Sequence, residues 1–380
     1  MKIEPFVMER WQSTFEHQVS FNLSESGVHP LTVGELLSLP GGDAGLAVAD
    51  LQEVGLGYAQ GNGDEGLREH IAAIYPGAAL PNILVTHGGA EANFLATLRL
   101  MEPGDEAVVM LPNYMQTPGL IEAWGATVKP WTMTEGNNWV PDISQLGELV
   151  SEKTRLVVIT NPNNPTGLAF DASLLDAVVA AAERVGAWIL ADAIYRGAEI
   201  SGQETPSFWG RYDRVLITSG LSKAYGLPGL RIGWVASPDA DLVTDLWSYH
   251  DYSTIAAARI TEVLARHALE PGRRQNILER TRGILNRNLP LLKEWIDSQA
   301  DLFTYVEPVA GAILWVRYAL DVSSTELAER VRVEEDTLIE PGDHFGVDHH
   351  LRLGYGPEPD YLAAGLEGVK RVIERIQADA

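Results

Sequence analysis

The stretch RLVVITNPNNPTGLAFDASLLDAVVAAAERVGAWILAD, residues 155–192, decides the fold. Its first run, RLVVIT (155–160), and its last, AWILAD (187–192), are short and apolar without polar alternation, the pattern of strands buried on both faces. Between them, SLLDAVVAAAERVG (173–186) sets Leu174, Val178, Ala181 and Val185 at helical spacing and stops at Gly186. A strand, a helix and a second strand in that order make the crossover of a parallel sheet, so the fold class is α/β.

Runs of the same kind occur on either side, at NILVT (82–86), EAVVML (106–111) and RVLITS (214–219). Residues 46–275 are therefore expected to form a large domain with a mainly parallel central sheet flanked by helices. After about 275 come a charged helical stretch, GAILWVR (311–317), a helix near 324–334 and a final helix from Glu358. This mixed pattern predicts a smaller α+β domain, 276–380, joined by a leading arm, 1–45, that ends in the loose stretch LPGGDAG (39–45).

A chain of 380 residues exceeds the size at which single cores stop growing, and 46% hydrophobic with 21% charged residues is ordinary for a folded, soluble enzyme. The net charge of -24 argues against a nucleic-acid partner, which requires a basic face. No cysteine means no disulfide, no thiolate-ligated metal and no cysteine nucleophile. The first residues, MKIEPFVMERWQ, carry charges that no secretory core would hold, and no run approaches a membrane span, so a cytoplasmic location with no membrane partner is expected.

In an open parallel sheet, ligands bind beyond the carboxyl ends of the strands. After NILVT comes HGGAEA, in which Gly88, Gly89 and Ala90 open a helix whose N–H groups suit an oxyanion; alone, the glycines read more readily as a tight turn. Tyr114 follows EAVVML, as a stacking ring or a core aromatic. Asn164 follows RLVVIT in a turn whose amides suit a ligand oxygen. Asp192 ends AWILAD, where a carboxylate needs a compensating cation or donor, and Tyr195 stands three residues on. Last, ITSGLSKAYGLPGLRIGW (217–234) places Lys223, one of only six lysines, just past its strand with Ser222 before it and Arg231 eight residues on. Cationic neighbours lower a lysine's pKa and favour a Schiff base with an aldehyde; a snorkelling surface lysine is the plain alternative. Together these groups ask for a ligand with an oxyanion, a flat ring, a ring oxygen, a basic ring nitrogen and an aldehyde, which is pyridoxal 5′-phosphate.

With NPNNPTG, ADAIY, SKAYGLPGLRIGW, PGDHFG (341–346) and LRLGYG (351–356) in order, the chain resembles fold-type I pyridoxal-phosphate enzymes of the aminotransferase class I/II family over nearly its whole length. The resemblance implies that Lys223 forms the Schiff base and moves the α-proton, and that Asp192 keeps the ring nitrogen protonated. It implies further that Asn164 and Tyr195 bond the ring hydroxyl, that Tyr114 stacks, and that Gly88, Gly89, Ala90, Ser222 and Arg231 bind phosphate. Arg352 would clamp the substrate α-carboxylate. YAQGNGDEGLR resembles the loop in which a tyrosine, here Tyr58, reaches the phosphate of a neighbouring subunit, as Ser253 or Thr254 of DYSTIA would, so a homodimer with shared sites is implied.

Two features depart from the general pattern. Many relatives carry a hydroxyl three residues before the lysine, where this chain has Gly220, so that one phosphate bond is either absent or supplied by Ser219. The arm segment SESGVHPLTVGEL (24–36) resembles pyridoxal-phosphate cyclases of the capreomycidine-synthase kind, which act on a hydroxyarginine, and makes Glu25, Gly27 and His29 candidates for substrate specificity; a local turn with a solvated His29 is the alternative. The expected activity is amino transfer between an L-amino acid and a 2-oxo acid; the alternative is a lyase or cyclase acting on the side chain. A transcription-regulator role fits poorly with the acidic chain, and His344, His349 and His350 make no convincing metal set.

Overall fold

A computed structural model describes residues 2–42, 45–299 and 302–379; Asp43 and Ala44, in the loose stretch closing the arm, lie outside the described residues. The arm contains a helix, Val7–Phe15, and a short strand, β1 (Phe21–Asn22). The central sheet follows, with β2 (Ile83–Thr86), β3 (Glu106–Leu111), β4 (Thr127–Thr132), β5 (Thr154–Thr160), β6 (Trp188–Asp192), β7 (Val215–Gly220) and β8 (Gly233–Ala236). Their spatial order is β2-β8-β7-β6-β5-β3-β4, with neighbouring strands parallel from β4 through to β7. β8 runs antiparallel to both β2 and β7.

The unalternating runs are explained by burial on both faces. Val109, Val158, Leu190 and Leu216 point into one apolar cluster, while Val108, Val157, Ile189 and Ile217 point into the other. Each such side chain contributes roughly 1.5–3 kcal/mol by leaving water. The crossover helix Ala172–Val185 forms as expected: Asp171 accepts from the Leu174 N–H at its start, and Gly186 ends it in the left-handed conformation, φ 69°.

Beyond the central sheet lie β9 (Phe303–Tyr305), β10 (Ile313–Tyr318), β11 (Thr337–Leu338), β12 (Glu340–Pro341) and β13 (His350–Gly354). Four of them form an antiparallel sheet in the order β12-β13-β10-β9, and β11 pairs in parallel with β1, which ties the arm to the C-terminal part of the chain. The two sheets support the two-domain division we propose, although the helix Pro271–Asp297 runs unbroken through residue 275. Among the described residues, no helix is long and apolar enough to cross a membrane.

Two close approaches set the arm and the helix beginning at Gly88 in place. A Cβ at Gly233 of β8 would collide with the backbone of Gly88 and Gly89. At Gly354 and Gly356 it would collide with the carbonyl oxygens of Glu25 and Gly27. Only hydrogen at these positions lets the arm lie directly against β13.

Candidate active site

The carboxyl ends of the parallel strands open into a cavity of about 340 Å³. Gly89, Ala90, Tyr114, Asn164, Asp192, Tyr195, Ser222, Lys223, Arg231 and Arg352, all singled out from sequence, line it together.

Asp192 ends β6 with its carboxylate bonded to the Asn93 amide at 3.0 Å and to the Ile194 N–H at 3.1 Å. No Lys or Arg among the described residues forms an ion pair with it, so the salt bridge that sequence left open is absent. Burial raises its pKa above the ordinary aspartate value, with those two bonds opposing. Asn93 is fixed in turn by the Thr218 hydroxyl on β7, 2.7 Å from its Oδ1. A half-buried carboxylate with donors but no cation suits a protonated ring nitrogen.

Lys223 follows β7, and its Nζ lies 3.3 Å from Glu25 Oε2. Burial disfavours its charge, but Glu25 and Tyr195 prevail and raise its pKa above the ordinary lysine value. This corrects the expectation of a lysine made less basic by Arg231: the arm places a carboxylate beside it. Lys223 in turn holds Glu25 below the usual carboxylate range, against the effect of burial.

At the start of the helix Gly88–Leu100, Gly88 adopts φ 80°, and a Cβ there would stand 2.6 Å from Arg231 Nη2. The guanidinium thus sits against a helix N-terminus, a positive pocket fitted to a phosphate. Gly220 has no room for a side chain, since a Cβ would stand 2.9 Å from the Ile232 carbonyl. Ser219 does not substitute for the missing hydroxyl: its Oγ bonds the Ala193 carbonyl at 3.2 Å and it does not line the cavity.

Tyr195 is buried, with its hydroxyl donating to Ser26 Oγ at 2.9 Å. Tyr114 donates to Glu9 Oε1 at 2.8 Å, and burial together with Glu9 raises its pKa well above the ordinary value. Arg352, on β13, is 1% exposed and donates to Asn164 Oδ1 at 2.9 Å and to the Ser24 carbonyl at 2.5 Å.

The remaining candidates divide between the edge of the cavity and positions away from it. Gly27 borders the lysine, since a Cβ on it would lie 3.6 Å from Lys223 Cδ. His29 does not reach the cavity: its ring lies between the Gly356 carbonyl (3.1 Å) and Glu358 (2.9 Å). Ser253 and Thr254 are directed at their own chain, both hydroxyls donating to Glu91 Oε1. Tyr58 is 90% exposed and away from this cavity.

Sequence reasoning missed Glu9, Gln12 and Glu16, which line the cavity from the arm helix. Their i, i+3, i+7 spacing on one helical face was the available signal. Burial and the nearby Glu25 carboxylate raise the Glu16 pKa.

The family model for aminotransferase class I and II matches residues 30–369, and the chain belongs to that family. It is 34% identical over 370 residues to capreomycidine synthase from Streptomyces vinaceus, covering 95% of this chain and 92% of that one. An aspartate aminotransferase from Streptomyces avermitilis is 24% identical over 302 residues, covering 77% and 74%. A PLP-dependent aminotransferase from Streptococcus suis superposes with a TM-score of 0.91 at 34% identity, covering 99% of both chains. The PLP-dependent cyclase OrfR superposes with 0.87 at 27% identity, covering 99% of this chain and 98% of that one. The fold is therefore that of the fold-type I enzymes, and the cofactor is pyridoxal 5′-phosphate.

Proposed function

We propose that this enzyme acts as a lyase or cyclase on an α-amino acid whose side chain carries a positive charge, such as a hydroxylated arginine. The observation that carries the reading is the arm's contribution to the cavity: Glu9, Glu16 and Glu25 face it together. The cations lining it are Lys223, Arg231 and Arg352. With one at the cofactor aldehyde, one at phosphate and one for the α-carboxylate, none of the lining residues is left for a second carboxylate, as an aspartate substrate would require. With Glu25 beside Lys223 and Glu9 accepting from Tyr114, Glu16 is the carboxylate left for a substrate guanidinium, a group that carboxylates bind in fork geometry. The likeness to capreomycidine synthase and to the cyclase OrfR supports the same reading.

When bound, pyridoxal phosphate supplies an electron sink for the bond broken at the substrate α-carbon. The chain's own residues do the rest. Asp192 would hold a proton on the ring nitrogen, Asn164 and Tyr195 would bond the ring oxygen, and Tyr114 would stack on the ring. Gly88, Gly89, Ala90, Ser222 and Arg231 would hold the phosphate. Arg352 orients the α-carboxylate. Lys223 Nζ would hold the cofactor's aldehyde and, when free and uncharged, is placed to take a proton from the substrate α-carbon. The Glu25 carboxylate, 3.3 Å from that nitrogen, would stabilise the positive charge that appears on it once it has taken the proton.

Amino transfer on the same substrate is the second reading, favoured by the likeness to the Streptococcus suis aminotransferase. The substrate claim is tested by titrating holoenzyme with L-arginine, L-citrulline and L-aspartate while following the cofactor's visible spectrum. Arginine is expected to bind tightest; equal or tighter binding of aspartate would overturn it. We further propose a homodimer in which Tyr58 reaches the neighbouring phosphate.

A further inference from the structure

Behind Arg352 lies a carboxylate that none of these steps uses. Glu340 of β12 stands directly opposite Arg352 of β13 in the antiparallel register, so both side chains emerge on the same face of adjacent strands. Glu340 is fully buried, at 0% exposure. Its Oε1 is engaged by His344 Nδ1 at 2.6 Å, whereas Oε2 is buried without a partner. Arg352 shows the complementary deficit, with Nε buried and unpartnered. Its terminal nitrogens are bonded to neutral acceptors, Asn164 and Ser24, and no carboxylate among the described residues pairs with it. An orphaned acceptor and an orphaned donor of opposite charge therefore share one dry strip of sheet, where leaving either unpaired is unfavourable.

We infer that Glu340 is a positioning residue for Arg352: it holds the guanidinium by Nε–H, directly or through one water, so that the two terminal nitrogens face the substrate carboxylate. This rests on the reading of Arg352 as the carboxylate clamp. His344 keeps Glu340 aimed, and the arm seals the pair, since Trp11 packs its ring edge-on to His344 at 6.0 Å and donates to the Ile339 carbonyl at 3.0 Å. The PGDHFG motif thereby serves the substrate carboxylate at one remove.

The test compares L-arginine with L-argininamide, which lacks the α-carboxylate, as ligands of holoenzyme. Glu340→Met, similar in size but without a charged acceptor, is expected to weaken arginine binding roughly tenfold while leaving the amide and the cofactor unchanged. Glu340→Gln, which keeps an acceptor, is expected to recover most of the loss. Equal weakening of both ligands, or none of either, would overturn the inference. Equal affinity of the unmodified enzyme for arginine and its amide would overturn the clamp itself, a separable failure. Should the methionine variant not fold, a crystal structure of the holoenzyme decides: Arg352 Nε bonded to Glu340 Oε2, directly or by one water, supports the inference, and Nε bonded elsewhere contradicts it.

Discussion

Lys223 and Glu25 show how one residue's chemistry depends on another distant in sequence. The lysine was legible because an apolar strand led into it. Its partner comes from the arm, 198 positions away, and nothing in the local sequence announced that a carboxylate would stand beside this amine. Lys223→Ala is expected to fold normally yet lose the cofactor's visible Schiff-base band and at least roughly a hundredfold of turnover; retained turnover would remove the lysine from the chemistry. Glu16→Gln is expected to cost roughly tenfold in arginine binding while leaving citrulline binding nearly unchanged. A parallel loss for both ligands would mean that Glu16 shapes the pocket rather than reading charge. Glu9, Gln12 and Glu16 escaped the sequence reading because polar residues on a helical face ordinarily mark the solvated side; here the face is folded over the cavity.

At the scale of elements, β3, β5, β6 and β7 were legible from their unbroken apolar runs, and the helix Ala172–Val185 from its period and its terminal glycine. β4 was not, because an edge strand tolerates Lys129 and Pro130. Nor was β8, whose meaning lies in a contact: Gly233 lets the sheet touch the start of the helix Gly88–Leu100. Gly233→Ala is expected to lower the melting temperature by several degrees and weaken pyridoxal phosphate binding roughly tenfold, by pushing the phosphate-binding turn outward; unchanged cofactor affinity would mean that the turn is set by other contacts. A second test concerns Glu262, in the helix Arg259–Leu269. Its Oε1 accepts from the Asp64 N–H at 3.0 Å, while Oε2 is buried without a partner, and burial pushes its pKa up to about 7. Between its ordinary value and 7 the folded chain keeps a proton that the unfolded chain has lost, so stability falls as pH rises through this window. Glu262→Gln should flatten the dependence of melting temperature on pH there; an unaltered slope would assign it to other groups.

For the whole molecule, the position of exposed apolar residues is what the sequence could not give. Leu56, Tyr58 and Tyr252 are 88%, 90% and 93% exposed, an unusual display for large side chains that fits coverage by a second copy. Sedimentation should therefore report twice the 41.5 kDa chain mass, and Tyr58→Ser should weaken cofactor binding; a fully active monomer would contradict the shared site. The motif order exposed the architecture, whereas the reaction depends on how an arm from one end of the chain meets a strand near the other. The most direct measurement is a single turnover of pyridoxal phosphate-loaded enzyme with hydroxyarginine, following the cofactor spectrum and product mass together. The account predicts a product lighter by one water with the original cofactor band restored; release of a 2-oxo acid with that band lost would contradict it and establish amino transfer.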